Sequence, residues 1–214
     1  MIIRLLNIKS WRIFIYLLFF ICFISFATSY LFLVDNLYYQ SLATQLEVDR
    51  ITKIIEFSRK WQWLIYIYIP FVVLIRVSFS TFCLYTGCYY AEIKIRFHKL
   101  FKISLLTDFV FVFAGVTKLV ILIFFKNVNT FDDLQFQPFS LLELFDRSSV
   151  EPCFIYPLSL ISLFELLYWL VLARLLSEII EQPYNKSFKT VAFSYGSGLL
   201  LWVLFGMFLT INLT

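Results

Sequence analysis

The chain has 214 residues, of which 61% are hydrophobic, 21% aromatic and only 15% charged, and its mean hydropathy is +0.85. This composition excludes an ordinary water-soluble globule, because too few polar side chains are present to cover its surface. The formal net charge of +4 does not indicate a nucleic-acid partner, since basic residues beside membrane spans account for it.

Five apolar stretches are each long enough to cross a bilayer as a helix of about 20 residues. They cover residues 13–34, 61–85, 105–125, 155–176 and 191–213. The stretches are continuous, whereas the strands of a membrane β-barrel alternate apolar and polar side chains over about ten residues. The sequence therefore predicts an all-α, polytopic transmembrane helix bundle of five spans that forms one integral-membrane domain over residues 1–214.

The first stretch has a second interpretation, because three basic residues precede its apolar core and Ala27 and Ser29 lie at a spacing typical of signal-peptide cleavage. The apolar run continues past Ser29 to Val34, which is longer than the core of an ordinary signal peptide. We therefore predict an uncleaved membrane anchor, with a cleaved leader as the alternative.

The distribution of charges predicts the orientation of the chain. With the N-terminus in the cytoplasm, the segments on that side hold ten of the 18 Lys and Arg residues. Nine of the 14 acidic residues then lie in the outer loops, residues 35–60 and 126–154. This bias follows the positive-inside rule and predicts a cytoplasmic N-terminus and an outer C-terminus. The basic turn after the second span should contact anionic lipid headgroups through Lys94, Arg96, Lys99 and Lys102.

Both outer loops contain further predicted structure. Residues 41–63 lack Gly and Pro and carry two acid-to-lysine pairs at i,i+4 spacing, which favours a helix leading into the second span. Residues 131–149 mix Phe and Leu with acids at short spacing, which is typical of a segment lying in the outer interface. A short lid over the bundle is the alternative interpretation of this second segment.

Three charged residues lie well inside the predicted spans, namely Arg76, Lys118 and Glu165. An isolated charge near the bilayer centre costs at least about 2.5–3.5 kcal/mol, so such groups pair or meet water. Counted from the outer ends of their spans, the three lie roughly 22, 11 and 15 Å deep at 1.5 Å per residue. We predict a buried cluster in which Glu165 binds Arg76 and Lys118 is a second cation. The same count puts Asp108 near the cytoplasmic edge, which is poor geometry for a carboxylate pair with Glu165.

The last stretch carries small residues on one face. Ser194, Gly198, Trp202 and Gly206 follow one another at four-residue spacing, which lets helix backbones approach closely. Packing within the chain is the favoured interpretation, since a five-helix chain must first pack against itself. Homodimerisation is the alternative.

No motif indicates catalysis, a metal site or a cofactor. The signatures HExxH, GxxxxGK[ST] and GxSxG do not occur, and His98 is the one histidine. The four cysteines fall at different depths, so no obvious pair shares an oxidising compartment. We therefore predict a non-enzymatic protein with no cofactor and no metal.

The five-span pattern, the basic turn YTGCYYAEIKIRFHKLFKISLL and the final pair FELLYWLVLARLLSEII…SFKTVAFSYGSGLLLWVLF resemble the Yip1-type membrane family. The resemblance covers the last three quarters of the chain and rests on the hydropathy pattern. It implies a five-helix bundle and carries over no catalytic residue, and the DLYGP-like motif of the eukaryotic trafficking members is not present. The wealth of Phe, Ile, Lys and Asn beside few Ala suits an AT-rich bacterial genome, so we predict the bacterial cytoplasmic (inner) membrane as the location.

Two functions from different classes agree with these features. The favoured hypothesis is a scaffold or accessory subunit of a membrane complex, in which the buried charges specify helix packing and the partner is another membrane protein. The alternative is a small transporter or channel whose cluster binds an anionic solute or relays protons, because two cations against one carboxylate leave a positive surplus. The odd number of spans and the lack of a visible internal repeat are less typical of transporters.

Overall fold

A computed structural model describes residues 8–33, 35–42, 47–126, 128–146 and 149–213, so Arg4 and Val34 lie outside the described residues. Within these ranges the chain forms ten α-helices and one 3-10 turn, at Leu141–Leu144, and no strand. The helices are α1 (Ser10–Phe32), α2 (Asp35–Leu42), α3 (Val48–Trp61), α4 (Leu64–Tyr90), α5 (Phe97–Thr107), α6 (Phe109–Phe124), α7 (Phe131–Leu134), α8 (Pro152–Leu160), α9 (Leu163–Ile180) and α10 (Tyr184–Leu213).

Four helical segments are long and apolar enough to cross a membrane: Ser10–Phe32, Leu64–Tyr90, Phe97–Phe124 and Tyr184–Asn212. Large apolar side chains such as Phe19, Phe82 and Phe208 point away from the bundle and are more than 60% exposed. A soluble protein rarely exposes contiguous apolar surface on this scale. The predicted all-α class is thus confirmed, and the four segments are those of an integral membrane protein.

The third of these segments is longer than the stretch predicted over residues 105–125. It begins at Phe97 and runs through α5 and α6 with a slight irregularity at Asp108. The amide of Asp108 donates to the carbonyl of Ser104 at 3.0 Å, so helical hydrogen bonding continues across the junction. The hydropathy criterion ends a span where lysines appear, whereas the backbone continues as a helix through Lys99 and Lys102.

The fourth predicted stretch, residues 155–176, is not one helix, which corrects the prediction. It is divided between α8 and α9, and the chain is extended at Ile161 and Ser162 between them. Ser162 accepts a hydrogen bond from the amide of Glu165 and so caps α9. The pattern Ser-Leu-Phe-Glu at residues 162–165 has the form Ser-x-x-Glu, which is a sequence signature of a helix start.

A neighbouring loop satisfies the backbone groups that this interruption leaves without helical partners. The amide of Leu141 donates to the carbonyl of Ile161 at 2.9 Å, and the amide of Leu163 donates to the carbonyl of Phe139 at 3.1 Å. Ser140 and Ser162 thereby form an isolated antiparallel bridge. Because backbone groups in an apolar environment need partners, the loop stabilises an interruption that lipid would not tolerate.

Two apolar cores share the central helices α4 and α5–α6. One core joins α4 and α5 to α9 and α10 and includes Leu84, Leu100, Tyr168 and Leu176, all of them fully buried. The other core packs α1 against α4 and the α5–α6 rod around Leu17. The α4–α5 hairpin therefore lies in the middle of the bundle, with α1 on one side and the α9–α10 pair on the other.

The predicted face of small residues on the last helix packs within the chain. A Cβ added to Gly87 of α4 would lie 2.2 Å from the Cβ of Ser194, and one added to Gly198 would lie 2.4 Å from the Sγ of Cys83. Further along α10, Gly206 faces Tyr156 of α8, and the indole of Trp202 donates to the hydroxyl of Tyr156 at 2.7 Å. Ser194 and Gly198 therefore approach α4, whereas Trp202 and Gly206 contact α8.

The helix predicted in the segment before α4 is present as α3, which packs against α2 at one end of the bundle. Ile51 and Ile55 of α3 are buried, and Arg59 binds Asp35 of α2 at 2.7 Å. The neighbouring α7 begins with Thr130, whose side chain and that of Asp133 cap the helix reciprocally. This end of the bundle is therefore an ordered assembly of short helices.

Candidate functional site

A central cavity of about 680 Å³ lies where the interruption between α8 and α9 faces α4, α6 and α10. Arg76, Lys118 and Glu165, the three charged residues predicted to cluster, all line it. Gln137 and Pro138 border it from the loop that pairs with the interruption, which agrees with the lid interpretation of that loop. The remaining polar side chains on its wall are Tyr68, Ser80, Tyr156, Ser159, Ser162, Tyr195 and Trp202.

Arg76 is held by Asp108 through two charged hydrogen bonds. Its Nε donates to Oδ1 of Asp108 at 2.9 Å, and one terminal nitrogen donates to Oδ2 at 2.5 Å. Asp108 is fully buried, whereas the side chain of Arg76 remains 36% exposed, on the cavity wall. The guanidinium also lies 4.5 Å from the ring centre of Phe111, a cation–π contact.

The predicted partner of Arg76 was wrong, because Asp108 and not Glu165 makes the ion pair. The prediction put Asp108 at a membrane edge since the third span was taken to begin at residue 105. With the helix beginning at Phe97, Asp108 lies 11 residues inside it, or about 16 Å. Arg76 and Asp108 are each 16 residues from Glu92 in the turn between α4 and α5. Equal spacing about the turn of an antiparallel helix pair puts two residues at one level, and this signal was available in the sequence.

Glu165 lies on the first turn of α9 and is only 8% exposed. Its Oε1 accepts hydrogen bonds from the indole of Trp169 and from the hydroxyl of Tyr195, each at 3.0 Å. The second carboxylate oxygen, Oε2, receives no hydrogen bond from any residue that the structure describes. Trp169 and Tyr195, which bind Oε1 of Glu165, were not predicted, although Trp169 follows Glu165 at i+4 on the same helix face.

Lys118 is half-buried on α6 and lines the cavity apart from the other charges. No hydrogen bond or ion pair reaches its ammonium from the described part of the chain. Its charged neighbour is Lys126, whereas Glu165 interacts electrostatically with Arg76 and Asp108. The three predicted residues thus share one cavity, but they do not form a single ion cluster.

Two buried hydroxyls near the cavity, those of Ser80 and Tyr168, interact with each other and make no hydrogen bond to any other described residue. Ser80 is 1% exposed and lines the cavity. The ring of Tyr168 packs between Phe111 and Tyr195, with ring centres 5.1 and 5.2 Å apart. The contact between these two hydroxyls joins α4 to α9 beside the cavity.

A second, basic pocket lies at the end of the bundle where the α4–α5 and α9–α10 turns meet. It has a volume of about 800 Å³ and is lined by Lys94, Arg96 and Lys99 together with Glu92 and Glu181. Three of the four residues predicted to contact anionic headgroups therefore share one concave surface. Lys102 follows on α5, one turn further along the helix.

The described residues provide no metal site, since they contain no convergent group of three or more His, Cys, Asp or Glu side chains. The four cysteines are free thiols, and two of them, Cys83 and Cys88, are buried in the apolar core. The chemistry of the central cavity therefore depends on ammonium, guanidinium, carboxylate and hydroxyl groups.

Comparison with protein-family models, with curated proteins and with solved structures finds no match to this chain. The resemblance to the Yip1-type family stays a prediction.

Proposed function

We propose that this protein is a non-enzymatic integral membrane protein that binds a polar solute inside the bilayer, as a small transporter or channel. The observation that carries the proposal is the central cavity at a helix interruption, with Lys118 and Glu165 on its wall, neither of which forms an ion pair with any described residue. Ionisable groups inside a membrane mark solute or proton pathways, and discontinuous helices are typical of transporter binding sites.

The structure changes the charge expected of the solute. Counting Arg76, Lys118 and Glu165 alone leaves one positive charge, which favours an anion. Because Asp108 neutralises Arg76, the groups that remain are one ammonium and one carboxylate. The positive surplus is therefore no longer an argument for a purely anionic solute.

The proposed topology has five spans, with a cytoplasmic N-terminus and an outer C-terminus. In it, α8 and α9 together make the fourth span, since α9 rises about 27 Å over its 18 residues and both helices pack along α10. A cysteine introduced near Asn185 should then react only from the cytoplasm, and one near Gln135 only from outside. Reaction of both from the same side would contradict five spans.

Access of water to the central cavity tests the proposed function. In vesicles, Ala114→Cys on the cavity wall should react with a charged, membrane-impermeant methanethiosulfonate reagent at least tenfold faster than Phe208→Cys, which is exposed on α10 away from the cavity. The unmodified chain corrects for its native thiols. Equal, slow reaction of the two variants would contradict an open solute site.

A second candidate function is a scaffold or accessory subunit of a membrane complex. The observation favouring it is the Arg76–Asp108 pair, which is satisfied within the bundle and joins α4 to the α5–α6 rod as a packing determinant would. Purification in mild detergent distinguishes the candidates, because a subunit brings a stoichiometric membrane-protein partner and a transporter moves solute in liposomes alone.

The proposed location is a bacterial cytoplasmic membrane, with anionic headgroups at the basic pocket. Its three cations on one concave surface support this proposal, because juxtamembrane Lys and Arg attract anionic lipid by about 1 kcal/mol each. Replacing Lys94, Arg96 and Lys99 with Gln should reduce the phosphatidylglycerol that co-purifies with the protein. An unchanged lipid content would contradict the headgroup contact.

A further inference from the structure

We propose that the ligand of the central cavity is zwitterionic, with a primary ammonium that binds Glu165 and an acidic group that binds Lys118. The inference rests on the proposed function of the cavity as a solute site. It follows from the charge balance, from the hydrogen-bonding groups left open and from the apolar walls.

The charge balance favours a ligand that is neutral overall but carries both signs. The charged groups are Arg76, Lys118 and Glu165 on the wall and Asp108, which binds Arg76, so the Arg76–Asp108 pair uses one cation and one carboxylate. A solute with a single charge would neutralise either Lys118 or Glu165 and leave the other without a partner in a low-dielectric site. A zwitterion neutralises both groups and adds no net charge to the membrane interior.

The open hydrogen-bonding groups fit the same ligand. Oε1 of Glu165 already accepts two hydrogen bonds, so Oε2 is the atom that remains for the N–H groups of an ammonium. Lys118 offers its ammonium donors to a carboxylate or a phosphate. The remaining terminal nitrogen of Arg76 makes no hydrogen bond within the described ranges.

The rest of the wall suits the apolar body of such a molecule. Val72, Ile75 and Phe79 of α4 face the cavity, as do Leu199 and Trp202 of α10. A volume of about 680 Å³ lies within the range of about 300–1,000 Å³ that is usual for small-ligand sites. The shared chemistry belongs both to a free amino acid with an apolar side chain and to the headgroup of an aminophospholipid.

The first experiment separates the charge requirements with three soluble probes of one shape. Leucine carries both charges, N-acetylleucine lacks the ammonium, and 3-methylbutylamine lacks the carboxylate. Binding to the full chain in phosphatidylcholine nanodiscs, measured by calorimetry, should be at least tenfold tighter for leucine than for either analogue. If N-acetylleucine binds as tightly as leucine, the zwitterion inference is wrong while a solute site remains.

A parallel arm tests the lipid source with the same purified protein. Phosphatidylethanolamine has N–H groups for Glu165, whereas phosphatidylcholine carries a quaternary ammonium without them. Enrichment of phosphatidylethanolamine over phosphatidylcholine after purification from a mixed membrane, without binding of leucine, assigns the ligand to the lipid. The absence of both leucine binding and such enrichment would overturn the inference. The reactivity of Ala114→Cys would still test the proposed function separately.

Two variants should change selectivity in opposite directions. Glu165→Gln keeps an acceptor for Trp169 and Tyr195, and it should bind leucine at least tenfold more weakly and no better than N-acetylleucine. Lys118→Met should bind leucine no better than 3-methylbutylamine. If phosphatidylethanolamine binds and leucine does not, the enrichment of phosphatidylethanolamine over phosphatidylcholine should instead fall at least tenfold in each variant.

Matched controls remove the same charges elsewhere. Glu178→Gln lies towards the other end of α9, and Lys53→Met lies on the exposed side of α3, so both should bind leucine and lipid as the unchanged protein does. Thermal unfolding in detergent checks that each variant folds. Folded Glu165→Gln and Lys118→Met proteins with unchanged selectivity would overturn the assignment.

Discussion

Arg76 and Asp108 form a two-bond ion pair, whereas Lys118 and Glu165, on the wall of the same central cavity, form no ion pair with each other. The first pair has the features of a structural contact, because one carboxylate is fully buried and both its oxygens are used. In the second, Oε2 of Glu165 and the ammonium of Lys118 make no hydrogen bond to any described residue. The difference separates an ion pair that joins two helices within the bundle from two charged groups that lie on the cavity wall without such a pair among the described residues.

Helix geometry explains why Arg76 and Asp108 form an ion pair and Lys118 and Glu165 do not. Arg76 and Asp108 lie on adjacent antiparallel helices at equal distances from their turn, so their side chains meet. Glu165 lies on the first turn of α9. Its amide donates to Ser162, and its Oε1 accepts hydrogen bonds from Trp169 and Tyr195. The interruption before α9 leaves a cavity in place of a packed helix, and Lys118 faces that cavity.

The largest expected effect on stability comes from breaking the Arg76–Asp108 ion pair. Asp108→Asn leaves Arg76 without a counter-charge, and we expect a loss of about 3 kcal/mol, the lower end for a broken buried ion pair because Arg76 has partial access to the cavity. The double variant Arg76→Met with Asp108→Leu should recover most of this loss. Unfolding midpoints in detergent measure both. A double variant as unstable as the single one would show that the pair is not the main cause.

The site could be predicted from the sequence only in part, because the hydropathy pattern did not show where each helix begins. Hydropathy identified the helices and the three charges that line the central cavity. It also began the third span at residue 105 and so put Asp108 near the membrane edge, because apolar windows stop at lysines that a helix passes through. The interruption before α9 was missed since residues 155–176 are uniformly apolar on average, although Ser162 and Glu165 form a helix-start signature.

Contacts between elements were beyond sequence patterns for a different physical reason. Tyr195 lies 30 residues from Glu165, and the loop at Phe139–Leu141 pairs with a segment about 20 residues further along the chain. Such contacts depend on how the helices pack in three dimensions. The face containing Ser194 and Gly198 was visible as a four-residue repeat, but its partner Gly87 carried no repeat of its own.

The second prediction compares the closely packed side of the bundle with the cavity side. Gly87→Ala would place a methyl group 2.2 Å from the Cβ of Ser194, so α4 and α10 must separate, at a cost of about 1–3 kcal/mol. Gly115→Ala, on the cavity wall, meets Ile24 at an ordinary 3.4 Å and should cost little. Equal losses of stability in detergent would mean that the two sides are packed alike.

A smaller effect should follow from removing an open charge. Lys118 makes no ion pair within the described residues, so Lys118→Met should change the free energy of unfolding by no more than about 0.5 kcal/mol, or should stabilise the protein. Arg76→Met is the matched comparison, because it strands the fully buried carboxylate of Asp108 and should be strongly destabilising. A large loss of stability in Lys118→Met would mean that this lysine is structural.

The smallest effects belong to charges outside the spans, where water competes with every contact. Partial burial alone would raise the pKa of Asp133, but hydrogen bonds from Thr130 and the backbone of Asn129, with the charge of Lys126, lower it below the ordinary value. For Glu143, burial outweighs its favourable contacts and raises the pKa. Neighbouring carboxylates in one exposed segment are therefore shifted in opposite directions.

Opposite shifts predict opposite dependence of stability on pH. The folded chain holds the proton of Asp133 less tightly than the unfolded chain does, so its stabilisation is present above the unfolded pKa, about 3.9, and is lost as the pH falls through the folded pKa. At pH 7 Asp133→Asn should therefore be less stable than the unchanged protein by at most about 1 kcal/mol. Glu143→Gln should be equally or slightly more stable there, since ionised Glu143 is disfavoured by folding. Both differences in stability should decrease as the pH falls, and thermal unfolding at pH 7 and pH 3 measures them. Differences of the same sign for the two variants at pH 7 would contradict the opposite pKa shifts.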